Sequence, residues 1–501
     1  MTNVQHGLSR FDKLMEHCAK GTMRMDPRKL PQTFGRLLPK VSNPLQWSGE
    51  LQDLAEIFNH MIDPMRAVDN DDGPAEAGMT FIGQFIDHDV TLDATSTIGT
   101  QIDPSFIRNV RTPALDLDCV YGDGPEASPH LYVNVNQNPD LEEAEGFMLF
   151  GRKDNPLDLA RNDQGTALIG DPRNDENIFV SQIQGAFVCL HNILMSYKQD
   201  DPHLDEEMDD FVDAGMGSSN WTDKVVPKLK DFNAVRQFIR WHYQWLIMKR
   251  FLPAFVTESA IIKAQHPDAF PSDAAIMPVE FAGAAYRFGH ATAQIKYALK
   301  HGAEPIGFFT HHGFKRRPVE ANLDMNMMFD IGGETAPRAR PVGTKVASPL
   351  FELPFISGPI EFPGVTLENQ LARRLPLRNV LRDRLALELA SGQQVAQHLG
   401  LNPLPVPEVL AKHNIEKTPL WFYTLEEADA SGQQKLDGVG GTIVAWVLLR
   451  LLRLDKTSVL HQPGFEPWHG FGGKDMTFGS LMAFVEKHRD KIKYADRLQA
   501  G

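Results

Sequence analysis

Apolar positions along this chain recur mostly at helical spacing and seldom alternate. Residues 53–62, DLAEIFNHMI, carry an apolar face of helical period and stop short of Pro64, a residue that a helix interior excludes. Residues 69–74, DNDDGP, read as a loop and 75–93 as a helix, followed by an irregular stretch over 94–130 rich in Asp, Pro and Thr. Helices are predicted over 179–198, over 232–255 with an end near Pro253, over 278–297 with a proline at its start, and over 381–399. A further helix, 442–454, is almost wholly apolar and is launched from Gly438-Val439-Gly440-Gly441, so it reads as a core element. Residues 301–375 hold many Pro and Gly and should form short helices and loops. Alternating strand pattern is scarce, and neither an internal repeat nor a clear linker is visible. The expected fold class is mainly α: one large helical domain with long loops and little β structure.

Composition narrows the functions open to such a domain. The chain has 501 residues, 42% of them hydrophobic, which suits a globular protein. Its 65 acidic and 50 basic side chains give a formal charge of −15, with no basic block, which argues against a general nucleic-acid binder or an anionic membrane surface as partner. The first twenty residues show no apolar leader core, so the expectation is a soluble protein, cytoplasmic or exported by a leaderless route. The apolar run Ile443 to Leu449 is far short of the roughly 20 residues of a membrane span, and no membrane insertion is expected. Cys18, Cys119 and Cys189 are too few for a disulfide framework and are spaced for no zinc site. Residues 1–32 are polar and mixed and should form an N-terminal arm on the body.

Four short clusters carry candidate chemistry. In FIGQFIDHDVT, residues 81–91, Gln84, Asp87 and His88 stand at i, i+3 and i+4 and share one helix face, while Asp89 points roughly 100° aside. A base, an amide and a carboxylate would then face one cavity, with a cation site beside it. In GDPRNDEN, residues 170–177, Arg173, Glu176 and Asn177 repeat that spacing; the cluster also reads simply as a charged helix start. In YRFGHATAQ, residues 286–294, His290 lies among small and apolar residues. It reads either as a satisfied core histidine or as an axial ligand to haem iron, with Asn379 of LPLRNVLRDR able to serve its other ring nitrogen. In RTPALDLDCVYGDG, residues 111–124, Thr112, Ala114, Asp116 and Asp118 alternate, so an extended loop would turn a hydroxyl, a carbonyl and two carboxylates one way. Such hard oxygen ligands suit Ca²⁺, although an acidic turn has the same composition.

GQFIDHD, LDLDCVYG, GDPRNDEN, RFGHATAQ and LPLRNVLRDR occur in the order and approximate spacing of the animal-type haem peroxidases, the superfamily of myeloperoxidase, lactoperoxidase, peroxidasin and the cyclooxygenases. The chain resembles that superfamily from about Phe34 to the 442–454 helix, and is expected to be a bacterial member with its peroxidase domain over 33–501. The resemblance implies haem b and Ca²⁺ as cofactors. It makes His88 the distal acid–base, Arg173 the distal arginine and Gln84 a holder of water or halide. His290 would be the iron ligand and Asn379 its hydrogen-bond partner, with Arg287 matching the peroxidase pattern beside them. Asp87 and Glu176 match carboxylates that form ester links to haem in mammalian members. Asp89, Thr112, Ala114, Asp116 and Asp118 match the calcium ligands, Ala114 through its carbonyl.

The implied activity is reduction of hydrogen peroxide through a ferryl intermediate, with oxidation of a small phenolic, aromatic or halide donor. Asn177 stands where myeloperoxidase has a methionine, so a sulfonium link is not expected. Cyclooxygenases carry a radical tyrosine three residues before the iron ligand; that position here is Arg287, with Tyr286 one residue off. A fatty-acid dioxygenase on the same scaffold is one alternative, and a non-catalytic haem- or calcium-binding structural protein is another. His311-His312 reads as incidental, because a metal site needs further ligands. GFGGKD, residues 470–475, lacks the full phosphate-loop spacing and reads as a surface turn.

Overall fold

Amphipathic and apolar helices lie where the periodicity is strongest. The computed structural model describes residues 34–92, 109, 111, 113–197, 229, 231–272, 274 and 276–499, and the predicted N-terminal arm lies outside them. Helix α1, Leu51–Ile62, buries Leu54, Ile57, Phe58, Met61 and Ile62 and passes into a 3₁₀ turn containing Pro64. Helix α2, Ala77–Val90, carries the first candidate cluster. Helix α3, Ile178–Tyr197, lies against α2 through two stacked ring pairs, Phe81–Phe179 at 4.5 Å and Phe85–Phe187 at 5.0 Å between centroids. Those pairs set the start of α3 beside Phe81, and the GDPRNDEN segment before it runs on along α2 to His88. Helix α3 is long and apolar enough to cross a membrane, but 94% of its apolar window is buried inside the protein, as in a core helix.

Helix α4, Phe232–Leu246, continues through a π-turn, Ile247–Phe251, into one further turn, Leu252–Phe255. The predicted 232–255 span is thus helical to its end at Phe255, two residues past Pro253: the proline, which has no N–H, sits in the first turn after the π-turn, where its missing donor is tolerated. Helix α5 is Glu258–Gln265, α6 Leu375–Leu381, α7 Gly392–His398, α8 Leu420–Ser431, α9 Gly438–Leu454 and α10 Phe478–His488. The α9 core helix starts under the Glu427 carboxylate, which accepts the Val439 and Gly440 N–H groups at 2.8 and 3.2 Å. Gly441 lets α9 press on α5: a Cβ there would lie 2.6 Å from the Ala260 Cβ.

Two predicted helices are broken. Residues 278–297 form a turn of helix at Val279–Gly283, a 3₁₀ turn at Ala285–Phe288, a single helical turn at Gly289–Thr292, and then an extended pair. Ala284 leaves the helical region at φ −134°, ψ −77°. Asn70, from the DNDDGP loop, then accepts the Ile295 and Lys296 N–H groups at 3.0 and 3.2 Å, so they make no helical bonds. The 381–399 prediction also fails as one element: a π-turn over Arg382–Ala386 closes α6, Glu388 is left-handed at φ +48°, and α7 starts afresh. A reciprocal cap between Ser391 and Gln394 begins α7.

Described strands are short. β1 (Arg66–Ala67) runs parallel to β4 (Val346–Ala347), β2 (Lys296–Tyr297) antiparallel to β3 (Ile306–Gly307), and β5 (Ile360–Phe362) antiparallel to β6 (Val365–Leu367). The fold is mainly α, with one continuous buried apolar cluster reaching from Phe34 to Leu498. Cys119 and Cys189 are buried and unbonded.

Candidate active site

Helix α2 delivers His88 into the protein interior, and the loop before α3 meets it there. The His88 Nδ1 lies 2.7 Å from the Asn174 Oδ1, and the Asn174 Nδ2 donates to the Gln184 Oε1 at 2.8 Å. An amide oxygen can only accept, so Nδ1 carries the proton and Nε2 keeps its lone pair. Burial, reinforced by the Arg173 charge, pushes the His88 pKa down to about 4, so the ring is neutral near pH 7. Asn174 and Gln184 escaped the sequence reading because an Asn between two charged residues has no distinctive spacing. Arg173 donates to both oxygens of Asp171 at 2.8 and 3.1 Å, to the His88 carbonyl at 3.3 Å and to the Thr91 carbonyl. Its guanidinium is thus clamped at the C-terminal end of α2, and its Nη1 makes no hydrogen bond among the described residues.

Gln84 is held at both amide atoms. Its Nε2 donates to Glu176, and its Oε1 accepts from Asn177 at 3.0 Å. Asn177 also accepts the Phe179 and Val180 N–H groups at 3.0 and 2.9 Å, so it caps α3. Burial pushes the Glu176 carboxyl up to about 7, even with Arg173 and Gln84 opposing it. Asp87 accepts the Thr91 hydroxyl at 2.9 Å.

The second histidine sits on the Gly289–Thr292 turn. Its Nδ1 is 2.9 Å from the Asn379 amide, on α6. The Asn379 oxygen is otherwise buried and unpaired. With the amide turned so that this oxygen meets the ring, it accepts Nδ1–H and leaves Nε2 as a donor atom for a metal. Burial, and then Arg287, Arg382 and Arg378, push the His290 pKa down to about 3, so it is neutral as an iron ligand must be. Arg287 and Arg378 have no ion-pair partner among the described residues, and burial lowers the pKa of both. Cations left so are suited to a ligand that brings carboxylates.

Gln84, Asp87, Glu176, Arg287, Gly289 and His290 keep accessible surface although Glu176, Arg287 and His290 are enclosed by protein on nearly every side. Those three are therefore accessible within a recess of the protein. A Cβ on Gly289 would meet nothing within 4 Å. A neutral imidazole donor, unpaired cations and the open space beside Gly289 fit haem, whose propionates would find Arg287 and Arg378.

Beside His88, Asp89 turns to the other face of α2. A carboxylate oxygen from each of Asp89, Asp116 and Asp118 lies within 4.8 Å of the others. Both Asp89 oxygens are buried and unpaired. Burial, and then the Asp116 and Asp118 charges, drive its pKa well up. A bound divalent cation would remove that repulsion, so the donor set fits Ca²⁺. The predicted extended loop is not what gathers these groups: Leu117 is left-handed at φ +61° and Asp118 opens a short helix, which swings its carboxylate round. The Ala114 carbonyl accepts the Asp116 N–H at 2.8 Å, and Thr112 lies outside the described residues. Arg111, unforeseen, joins Asp118 at 3.4 Å to Asp171 at 2.8 Å.

Tyr286 donates to the Gly83 carbonyl at 3.1 Å. His312 lies at the surface with Lys315, apart from any acidic or histidine cluster among the described residues. GFGGKD forms two 3₁₀ turns, and Phe471 is buried rather than at the surface.

The animal haem peroxidase family model matches residues 99–327, a span holding Asp116, Asp118, Arg173, Glu176 and His290 but not His88 or Asn379. No curated protein matches the chain significantly. Among solved structures, peroxidase A from Dictyostelium discoideum is similar at a TM-score of 0.55 and 14% identity, covering 93% of this chain and 94% of that one. A fatty acid alpha-dioxygenase from Arabidopsis thaliana is similar at 0.56 and 14%, covering 93% and 78%. One from Oryza sativa is similar at 0.53 and 15%, covering 93% and 82%. At these identities the likeness establishes the fold. Family model and fold point the same way: residues 99–327 match the animal haem peroxidase family, and the chain shares its fold with a peroxidase and with fatty acid alpha-dioxygenases.

Proposed function

We propose that the protein is a haem peroxidase that reduces hydrogen peroxide and oxidises a small phenolic, aromatic or halide donor. The observation that carries this reading is a matched pair: two histidines, His88 buried and His290 half-buried, each with an amide on Nδ1, which leaves both Nε2 atoms for chemistry. His290 would hold the haem, aided by Arg287 and Arg378, and the bound haem would supply the two electrons that split the peroxide O–O bond. His88 can take a proton from peroxide at Nε2 and return it to the departing oxygen, which leaves as water. Arg173, whose Nη2 is anchored on the His88 carbonyl, would stabilise negative charge on that oxygen. Asp87 and Glu176 are available for ester links to haem. The acid cluster would hold Ca²⁺ and brace α2 next to His88.

Purified His290→Ala should lose haem. His88→Ala should keep haem and consume peroxide at least ~10²-fold more slowly, the scale of lost acid–base catalysis. Wild-type peroxide turnover in the His88 variant would sink the mechanism. The fold likeness to two fatty acid alpha-dioxygenases supports a second reading, a dioxygenase with Tyr286 as its redox residue. It requires oxygen uptake with a long-chain fatty acid that Tyr286→Phe abolishes, and no uptake removes it.

A further inference from the structure

The chain of contacts behind His88 has a direction. Asn174 is fully buried, and so is Gln184, whose own Nε2 has no partner. In the arrangement present, Gln184 accepts from Asn174 and Asn174 accepts from His88. Turning both amides round would join the same three groups but place the ring proton on Nε2. The orientation of two neutral side chains therefore selects which histidine nitrogen is the base. Asn174 is itself fixed: its N–H donates to the Asp171 carbonyl at 3.0 Å, and Asp171 is held by Arg111 and Arg173. Gln184 lies within α3, which is locked to α2 by the Phe81–Phe179 and Phe85–Phe187 stacks.

We propose that Asn174 and Gln184 are positioning residues that hold His88 as the Nδ1–H tautomer and aim its Nε2 lone pair at the incoming peroxide. This rests on the reading of His88 as the acid–base. A buried aspartate could replace Asn174 as acceptor, since Gln184 can rotate its unpartnered Nε2 to meet it. A leucine could not.

The test uses haem-loaded protein, with every rate taken per bound haem. Two reactions are followed by stopped flow: the haem absorbance change on mixing with hydrogen peroxide, and association of cyanide with the ferric protein. Cyanide arrives as HCN and must lose its proton to a distal base, so it reads the free Nε2 without any turnover. Asn174→Leu should slow both by about tenfold or more, the size of effect that outer hydrogen-bond partners have on the groups they orient. Asn174→Asp should restore most of each rate, and Gln184→Leu should slow both severalfold. If His88→Leu slows both reactions while Asn174→Leu leaves them unchanged, the positioning proposal is overturned and the His88 reading stands. If His88→Leu itself changes neither, the His88 reading falls and the proposal with it. Equal slowing by Asn174→Leu and Asn174→Asp would mean that packing, not the acceptor, matters. Should Asn174→Leu fail to fold, Gln184→Leu decides: unchanged rates overturn the proposal.

Discussion

Asp171→Asn tests the charge arrangement behind His88. Asp171 is fully buried and accepts from Arg111 Nε at 2.9 Å and from the Arg173 N–H, Nε and Nη2 at 2.9, 3.1 and 2.8 Å. Burial alone would raise its pKa, but Arg173 and Arg111 outweigh burial and bring it from 3.8 to about 2. A carboxyl depressed in the folded state stabilises above its unfolded pKa and loses that contribution as pH falls through the folded value. The shift is worth about 2 kcal/mol at pH 7, falls to about 1 kcal/mol near pH 3 and vanishes well below pH 2. The amide also leaves Arg111 with Asp118, at 3.4 Å, as its one ion-pair partner among the described residues. Breaking a buried pair costs about 3–5 kcal/mol, and since the Arg173 side chain is 26% exposed the lower end of that range is expected. Urea unfolding should show Asp171→Asn destabilised by about 3 kcal/mol at pH 7, with the gap to wild type shrinking by about 1 kcal/mol by pH 3. Equal stability at pH 7, or a gap that does not change with pH, would refute the reasoning.

Three further outcomes follow from single residues. Asn177→Ala removes the cap of α3 and the donor to Gln84, and should cost about 1–2 kcal/mol in urea unfolding; no loss would mean that the cap is replaced. Asp89→Asn removes one of three mutually repelling carboxylates, so in chelator the variant should melt higher than wild type, whereas millimolar Ca²⁺ should raise the melting temperature of wild type alone; an equal calcium response in both would remove the proposed site. Gly441→Ala forces a methyl group against Ala260 and the Leu436 carbonyl, 2.9 Å from its oxygen, and should cost about 1–3 kcal/mol; a neutral result would show that α9 and α5 can move apart.

What the sequence made legible is local. Gln84, Asp87 and His88 announce themselves by i, i+3, i+4 spacing inside a strongly apolar helix, and the structure keeps them on one helix. Asp89, Asp116 and Asp118 do come together, though through a left-handed Leu117 and a helix start rather than an alternating strand. What stayed hidden depends on partners distant in sequence. The break before His290 follows from Asn70 drawing off two N–H groups, and nothing within 278–297 signals it. Asn174 gains its role only because α2 lies 86 residues earlier. The break before α7 was readable: Ser391-x-x-Gln394 is a capping box, outweighed by an apolar pattern that runs through it. Arg111 and Arg378 look like ordinary surface cations until burial shows one between two aspartates and the other beside His290.

Mixing haem-loaded protein with hydrogen peroxide, wild type against His88→Ala at equal haem content, tests the central claim most directly. Wild type should change its haem absorbance rapidly, and the variant at least ~10²-fold more slowly. A variant as fast as wild type, or a haem-loaded wild type inert to peroxide, would contradict it.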